Sequence, residues 1–202
     1  MSHASEASAK AVLRLNMRAV RRAFVKDHPE ADWQTGDRAR EMLQALFKGR
    51  KSSGVVAVYR ASGSEIDPRP LAECLVALGW SLALPATEEI DAAVVFRRWK
   101  PGDRLAPDAM GVASPLAAAE EVSPDVVVAP LIAFDRRGGR LGQGAGYYDR
   151  TLEAWRRTVD PPAFVGLAFS CQEVDRVPVE GHDQRLDAIL TEKEYIAVAK
   201  DN

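Results

Sequence analysis

Arg140, Gly142, Gly144 and Gly146 crowd into one short piece of the chain, inside VVVAPLIAFDRRGGRLGQGAGYYDRTL (126–152), where an apolar run meets a glycine-rich turn and then a helical pattern. Glycines alternating with Gln143 and Ala145 admit backbone conformations closed to other residues and let N–H groups approach an oxyanion closely. The helix that follows adds the positive end of its dipole, and Arg140 adds a planar, fork-shaped cation. The chemistry this predicts is the holding of phosphate. The loop is not a Walker loop, since no Gly-Lys-Ser/Thr follows, and it lacks the Gly-x-Gly-x-x-Gly order of a dinucleotide fold. Taken alone, it reads equally well as a tight strand-to-helix turn.

A second set of cations lies far upstream. Lys10, Arg14, Arg18 and Arg22 recur every four residues, and no acidic residue falls between Lys10 and Lys26. On a helix this spacing makes one basic stripe, which is either a surface for an anion or the solvated face of an amphipathic helix. Two carboxylates complete the set. Asp149 directly follows the glycine loop, where it could cap backbone N–H groups of the first helical turn; Asp187, in HDQRLDAIL, precedes a late apolar run. If both reach a phosphate pocket, they are hard oxygen ligands of the kind Mg2+ takes when water and phosphate fill its other positions. No convincing Ser/His/Asp or Cys/His arrangement competes with this, and His182 reads as a loop residue. Cys74 and Cys171 lie apart, without the spacing of a disulfide framework or a zinc site.

These groups must be positioned by a chain of 202 residues, 47% hydrophobic and 28% charged, long enough to bury a substantial core in one domain spanning 1–202. A net charge of -2 argues against a protein that coats nucleic acid. No signal-peptide pattern and no apolar run long enough to span a membrane is present, so a cytoplasmic protein without membrane or nucleic-acid partners, acting as a monomer, is expected. Leu13, Met17, Val20 and Phe24 form an apolar stripe that predicts a helix over 9–27, ended by His28-Pro29. A second helix is expected from Thr35 or Gly36 to Lys48, then a buried strand in GVVAVY. Asp67 caps and Pro68 opens the next helix, which Gly79 stops before the strand WSLALP. Strand, helix, strand is the signature of a parallel βαβ unit. DAAVVFRRW reads as a weaker strand, DVVVAPLIAF as a strong one, 148–159 as a helix, PAFVGLAF as a strand and DAILTEKEYIAVA as one or two more. Pro115 to Glu121 is a short helix or an ordered loop. In such an α/β sheet, ligands bind outside the carboxyl ends of the strands, where the loop leaving VVVAPLIAF lies.

With these residues assembled, the chain resembles the 5-formyltetrahydrofolate cyclo-ligases, also called methenyltetrahydrofolate synthetases. The resemblance is specific at APLIAFDRRGGRLGQGAGYYDR, where that family shows a proline-containing strand, an Asp, a glycine, then Arg-Leu-Gly-x-Gly-x-Gly-Tyr-Tyr-Asp. It runs along nearly the whole chain, through KAVLR, GSEIDPRPL, FRRWKPGDRLAPDAMGVASP and VPVEGHDQRLDAIL. It implies a single three-layer α/β/α domain with a mostly parallel sheet flanked by helices, of the sugar-phosphate isomerase and CoA-transferase type (NagB/RpiA/CoA transferase-like). The implied reaction is ATP- and Mg2+-dependent conversion of 5-formyltetrahydrofolate to 5,10-methenyltetrahydrofolate, with ATP as co-substrate. By the same resemblance Lys10, Arg14 and Arg140 are the catalytic cations, and Lys10, Arg14 and the loop Arg140, Leu141, Gly142, Gln143, Gly144, Ala145, Gly146, Tyr147 and Tyr148 bind ATP. Gln143 to Tyr147 also face the folate, with Arg60 and with Glu65, which holds the pterin; Asp149 and Asp187 match the magnesium ligands.

A carboxylate such as Glu65 can accept paired hydrogen bonds from the pterin's amino and ring N–H edge. Trp99 could stack on a flat ring or simply pack. Gln143 stands where Tyr or Arg is common in the family, Ala145 where Gly or Lys is, and Pro68 where Thr is. These departures keep a binding relative without turnover as an alternative. A sugar-phosphate isomerase, working without ATP, and a nucleic-acid module using the basic helix are further alternatives.

Overall fold

The computed structural model describes residues 3–90, 92–178, 180 and 183–199, with side chains from residue 7 onward; His182 lies outside the described residues. Its centre is a seven-stranded sheet in the order β11-β10-β9-β6-β1-β2-β3, built from β1 (Val55–Ala57), β2 (Ser81–Ala86), β3 (Val95–Trp99), β6 (Val126–Pro130), β9 (Ala163–Leu167), β10 (Ala188–Leu190) and β11 (Tyr195–Ala197). From β10 to β2 all neighbours run parallel, while the edge strands β3 and β11 run antiparallel. Central strands of this kind are covered on both faces, which is why they read as near-continuous Val/Ala/Leu runs rather than as alternations.

The two faces are filled by alternate residues. Val56, Val126, Val128 and Val165 point into one core with Met42, Leu71 and Leu75, contributed by α3 (Ala39–Phe47) and α4 (Arg69–Ala77). Ala57, Val127, Phe164 and Ile189 point into the other with Leu152 of α5 (Tyr147–Trp155). There Trp155 lies 5.2 Å from the Phe96 ring and 6.4 Å from Phe164. Helices on both sides of the sheet give the three layers that the resemblance implies. At Gly166, inside β9, a Cβ would lie 2.6 Å from Leu131 and from Leu186, so this strand needs glycine to let those two leucines meet across it.

The long N-terminal helix α1 (His3–Asp27) ends before His28-Pro29, as expected. Its stripe differs in detail. Met17 is buried and Leu13 and Phe24 partly so, but Val20 is 42% exposed and Arg21 is turned inward, 5% exposed. A helix of 3.6 residues per turn drifts about 40° for every step of four, so after Met17 the inner line passes through residue 21. Burial holds the Arg21 guanidinium below its ordinary pKa. The helix expected over 35–48 is two, α2 (Ala31–Asp37) and α3, broken at Arg38. Gly36 lies against α4, where a Cβ would come 3.0 Å from the Pro70 carbonyl oxygen. Helix α4 begins one residue later than expected, with Pro68 as its cap, and Asp67 still accepts the Arg69 N–H at 3.0 Å.

DVVVAPLIAF is not one strand. After Pro130 the chain leaves the ladder, and the buried Gln172 amide takes over the carbonyls of Leu131 and Ile132, at 2.9 and 3.0 Å. The chain then folds into a small hairpin, β7 (Ala133–Phe134) and β8 (Arg140–Leu141), whose turn is held by Asp135 accepting from the N–H groups of Arg137 and Gly139. A second hairpin, β4 (Leu105–Pro107) with β5 (Ala113–Pro115), adds to the elements expected from the sequence. Its turn closes on Asp108, which accepts from the N–H groups of Thr87, Met110 and Val112, each at 2.9 Å. Partial burial alone would raise the Asp108 pKa, and these N–H donors outweigh it and hold the carboxyl below its ordinary value. After Pro115, which ends β5, the stretch to Glu121 is loop and not helix, and Glu121 makes an isolated bridge to Arg97. Among the described residues no helix is long and apolar enough to cross a membrane.

Candidate active site

A cleft of about 510 Å³ opens at the carboxyl ends of β1, β2 and β6, where ligands gather in open α/β sheets. Into it converge Lys10 and Arg14 from α1, Arg60 and Glu65 from the segment after β1, the whole stretch Arg140 to Asp149, and Asp183. Of the residues assigned to ATP, folate or metal, all but Asp187 line this space, whereas Arg18 and Arg22 of the basic stripe and Trp99 do not.

The meeting of α1 with the glycine loop follows from packing. Leu13 and Met17 sit with Ile132, Ala133, Leu141 and Val177 in a small apolar cluster, and this leaves the basic line of α1 facing the loop. Arg14 Nε donates to the Gly142 carbonyl at 2.9 Å, and Arg18 Nη2 donates to Gln143 Oε1 at 2.5 Å. Arg22 does not continue the line; it is exposed. Gly144 lies at φ +112°, under the Arg14 guanidinium, a backbone state that a side chain would strain.

Two ion pairs stand side by side at the back of the cleft. Lys10, 8% exposed, donates to Asp183 at 2.6 Å and lies 3.5 Å from Glu180. Arg140, also 8% exposed, donates to Asp149 at 2.7 Å, while its buried Nε has no partner among the described residues. The pairs adjoin because Asp149 Oδ1 also accepts the Gln184 N–H at 3.2 Å, one residue beyond Asp183. Asp149 therefore faces Arg140 across the cleft instead of capping its own helix, and among the described residues no side chain caps the N-terminus of α5. Tyr148 is pushed above its ordinary pKa by burial, so it is a neutral donor at physiological pH. Tyr147 carries the Arg150 guanidinium 4.8 Å above its ring.

On the opposite wall, Glu65 accepts the Ser62 N–H at 3.0 Å and Gln143 Nε2 at 2.8 Å. Tyr59, whose hydroxyl burial raises well above its ordinary pKa, donates to the Ile66 carbonyl at 2.6 Å and fixes this segment. Met110 and Val112, from the β4–β5 turn, give the cleft an apolar rim. Trp99 is elsewhere: it lines a neighbouring cleft of about 480 Å³ that meets the first at Tyr59 and Arg60.

The sequence-based choice of Asp187 is corrected by its placement. Its Oδ2 accepts the Phe164 N–H at 2.9 Å, tying β10 to β9 away from the cleft. Asp183, four positions earlier in the same HDQRLD segment, lines the cleft in its place together with Glu180, and neither was singled out in the sequence. A carboxylate directly ahead of a buried strand is committed to its neighbour's backbone, and this was the available signal. Among the described residues no three acidic, His or Cys side chains gather as a metal cluster. Asp149 and Asp183 nonetheless suit Mg2+, which binds through one or two carboxylates when phosphate and water supply the rest. Asp187→Ala should cost about 1–3 kcal/mol of stability through the lost acceptor and leave any Mg2+ binding in the cleft unchanged. Asp183→Asn keeps an oxygen to accept from Lys10 and the Glu180 N–H and should weaken any Mg2+ binding more than it lowers the melting temperature. Thermal melts and magnesium titrations of the two variants check this.

Comparison with known proteins gives the family of the chain. The sequence profile of the 5-formyltetrahydrofolate cyclo-ligase family matches residues 6–192. The chain is 33% identical over 168 residues to the 5-formyltetrahydrofolate cyclo-ligase of Escherichia coli K12, covering 81% of this chain and 91% of that protein. To the cyclo-ligase of Mycolicibacterium smegmatis it is 31% identical over 210 aligned positions, covering 99% and 100%. The solution structure of Aquifex aeolicus 5,10-methenyltetrahydrofolate synthetase superposes with a TM-score of 0.70 at 29% identity, over 96% of this chain and 94% of that one. A Mycoplasma pneumoniae 5,10-methenyltetrahydrofolate synthetase shares the fold at a TM-score of 0.66 and 20% identity, over 91% and 98%. A profile match across most of the chain, relatives aligned over most of both lengths and a shared fold lead to one result: this chain belongs to the 5-formyltetrahydrofolate cyclo-ligase family, a family of ligases.

Proposed function

We propose that the cleft carries out the ATP- and Mg2+-dependent closure of 5-formyltetrahydrofolate to 5,10-methenyltetrahydrofolate, with release of ADP and phosphate. The observation that carries this reading is the convergence, in one cleft, of Lys10, Arg14, Arg140 and the glycine loop on one side and the Glu65 carboxylate on the other. The first group suits a polyphosphate and the second the donor edge of a pterin. The formyl oxygen is a poor leaving group, and closing the ring onto N10 requires it to depart. Attack of that oxygen on the γ-phosphate gives an imidate phosphate; N10 then adds to the activated carbon, and phosphate leaves with the oxygen.

Such a reaction needs placement and charge rather than a side-chain nucleophile. Lys10 and Arg140 would exchange their carboxylate partners for phosphate oxygens, and the uncapped N-terminus of α5 adds its dipole. Asp149 and Asp183, freed by that exchange, would hold Mg2+, which supplies further offset of charge on the transferring phosphoryl group. Glu65 orients the pterin through paired hydrogen bonds, and Met110 and Val112 cover its apolar face.

The test is absorbance at the methenyltetrahydrofolate band after mixing the protein with (6S)-5-formyltetrahydrofolate and Mg2+, with and without ATP. An ATP-dependent rise supports the reading. Binding without turnover would replace it with a binding-only relative, and turnover without ATP would remove the phosphoryl-transfer mechanism.

A further inference from the structure

Gln143 spans the cleft between two opposite charges. Its Oε1 accepts from the Arg18 guanidinium at 2.5 Å, and its Nε2 donates to Glu65 Oε1 at 2.8 Å. The other Glu65 oxygen accepts the Ser62 N–H at 3.0 Å, so the carboxylate has a partner on each oxygen. The amide cannot be reversed without setting its NH2 against the guanidinium and its oxygen against the carboxylate. Arg18 thus dictates which end of Gln143 meets Glu65. The neighbouring Arg14 holds the same loop by the Gly142 carbonyl, at 2.9 Å.

From this geometry we infer that Gln143 is a resident stand-in for the ligand's donor edge, a latch between the glycine loop and Glu65, and that Arg18 is the positioning residue that sets its strength. The inference rests on the folate reading of the cleft. A primary amide presents the same N–H to a carboxylate oxygen as the amino group of a 2-amino-4-oxopyrimidine ring, so the ring must displace Gln143 to gain Glu65. Selectivity follows: a ring with two adjacent N–H donors outcompetes a single amide N–H, whereas a flat ring offering one donor or none leaves the latch shut. Because Gln143 belongs to the glycine loop, the same displacement unties that loop from the folate wall.

The test uses the full chain and its Arg18→Met, Arg18→Lys, Gln143→Ala and Arg18→Met/Gln143→Ala variants, titrated calorimetrically with 5-formyltetrahydrofolate in the absence of nucleotide. Removing one charge-assisted hydrogen bond that competes with the ligand should tighten binding by about five-fold in Gln143→Ala. Arg18→Met should tighten it in the same direction by a smaller factor, and Arg18→Lys should stay near the parent. The double variant should match Gln143→Ala alone, since Arg18 acts through Gln143. Unchanged or weaker binding in Gln143→Ala overturns the latch, and an equal Arg18→Met effect in both backgrounds overturns the positioning role. Hydrogen exchange of the amides of 142–146 without ligand reads the latch independently of any folate. Protection should fall in Gln143→Ala and Arg18→Met; unchanged protection overturns the latch. Loss of protection in a series whose parent binds no folate would instead sink the folate reading and leave the latch standing.

Discussion

Arg140→Ala should lower kcat by about 10³-fold, the range seen when a donor aimed at developing charge is removed from a phosphoryl- or acyl-transfer site. Arg140 is 8% exposed, with one arm on Asp149 and a buried Nε that has no partner among the described residues. A guanidinium held this way has a donor in reserve for an incoming oxyanion. Its desolvation strengthens that bond when it forms. Asp149 retains 21% side-chain exposure and the Gln184 N–H, so water can solvate it after truncation, and the stability lost should stay near 1 kcal/mol. Arg140→Lys keeps the charge but not the fork and should recover part of the rate. Initial rates at saturating ATP together with thermal melts check this. A kcat within ten-fold of the parent in a folded Arg140→Ala protein would remove Arg140 from the phosphate site.

Glu65→Gln should weaken 5-formyltetrahydrofolate binding by about 10²-fold, while the affinity for ATP shifts little. A carboxylate accepts two N–H bonds at once; an amide accepts one and turns its NH2 toward the second donor, leaving that donor unpaired. Ser62 N–H and Gln143 occupy the two Glu65 oxygens in the free protein, so the carboxylate is already oriented, and the variant changes chemistry more than placement. Equilibrium titration with each ligand separately is the measurement. A folate affinity within two-fold of the parent would mean that the pterin edge lies elsewhere.

The parallel core was legible because burial on both faces writes itself into runs such as VVVAP and AFVGL. The edge strand β3 was weaker in sequence because one neighbour suffices to hold it. Pro130 marked the end of β6, yet the strand read on through LIAF, since nothing local announces that Gln172, far along the chain, takes the carbonyls of Leu131 and Ile132. The β4–β5 hairpin did carry a local signal: Pro107, Asp108 and Gly111 are turn residues, and Gly111 adopts φ +76°. At the site, types and spacing gave the cations and the loop. They could not separate Arg21 from Arg22, because one residue on a helix is a rotation of about 100°. They could not separate Asp183 from Asp187 either, because that choice depends on which backbone each carboxylate meets.

Lys10 and Asp183, ion-paired at 2.6 Å, are 173 residues apart in sequence. During synthesis α1 leaves the ribosome first, with its cations turned toward partners that do not yet exist. The β7–β8 hairpin gives it a seat only after most of the sheet has been made, and the acidic residues that answer Lys10 arrive later still. Chain growth of about 5–20 residues per second makes this a wait of many seconds. Through that interval a partly built chain can hold much of the sheet and the glycine loop while Lys10 still lacks the acidic residues that answer it. The Lys10–Asp183 pair is therefore a report of completion, formed only once the chain has reached the residues just ahead of its last two strands.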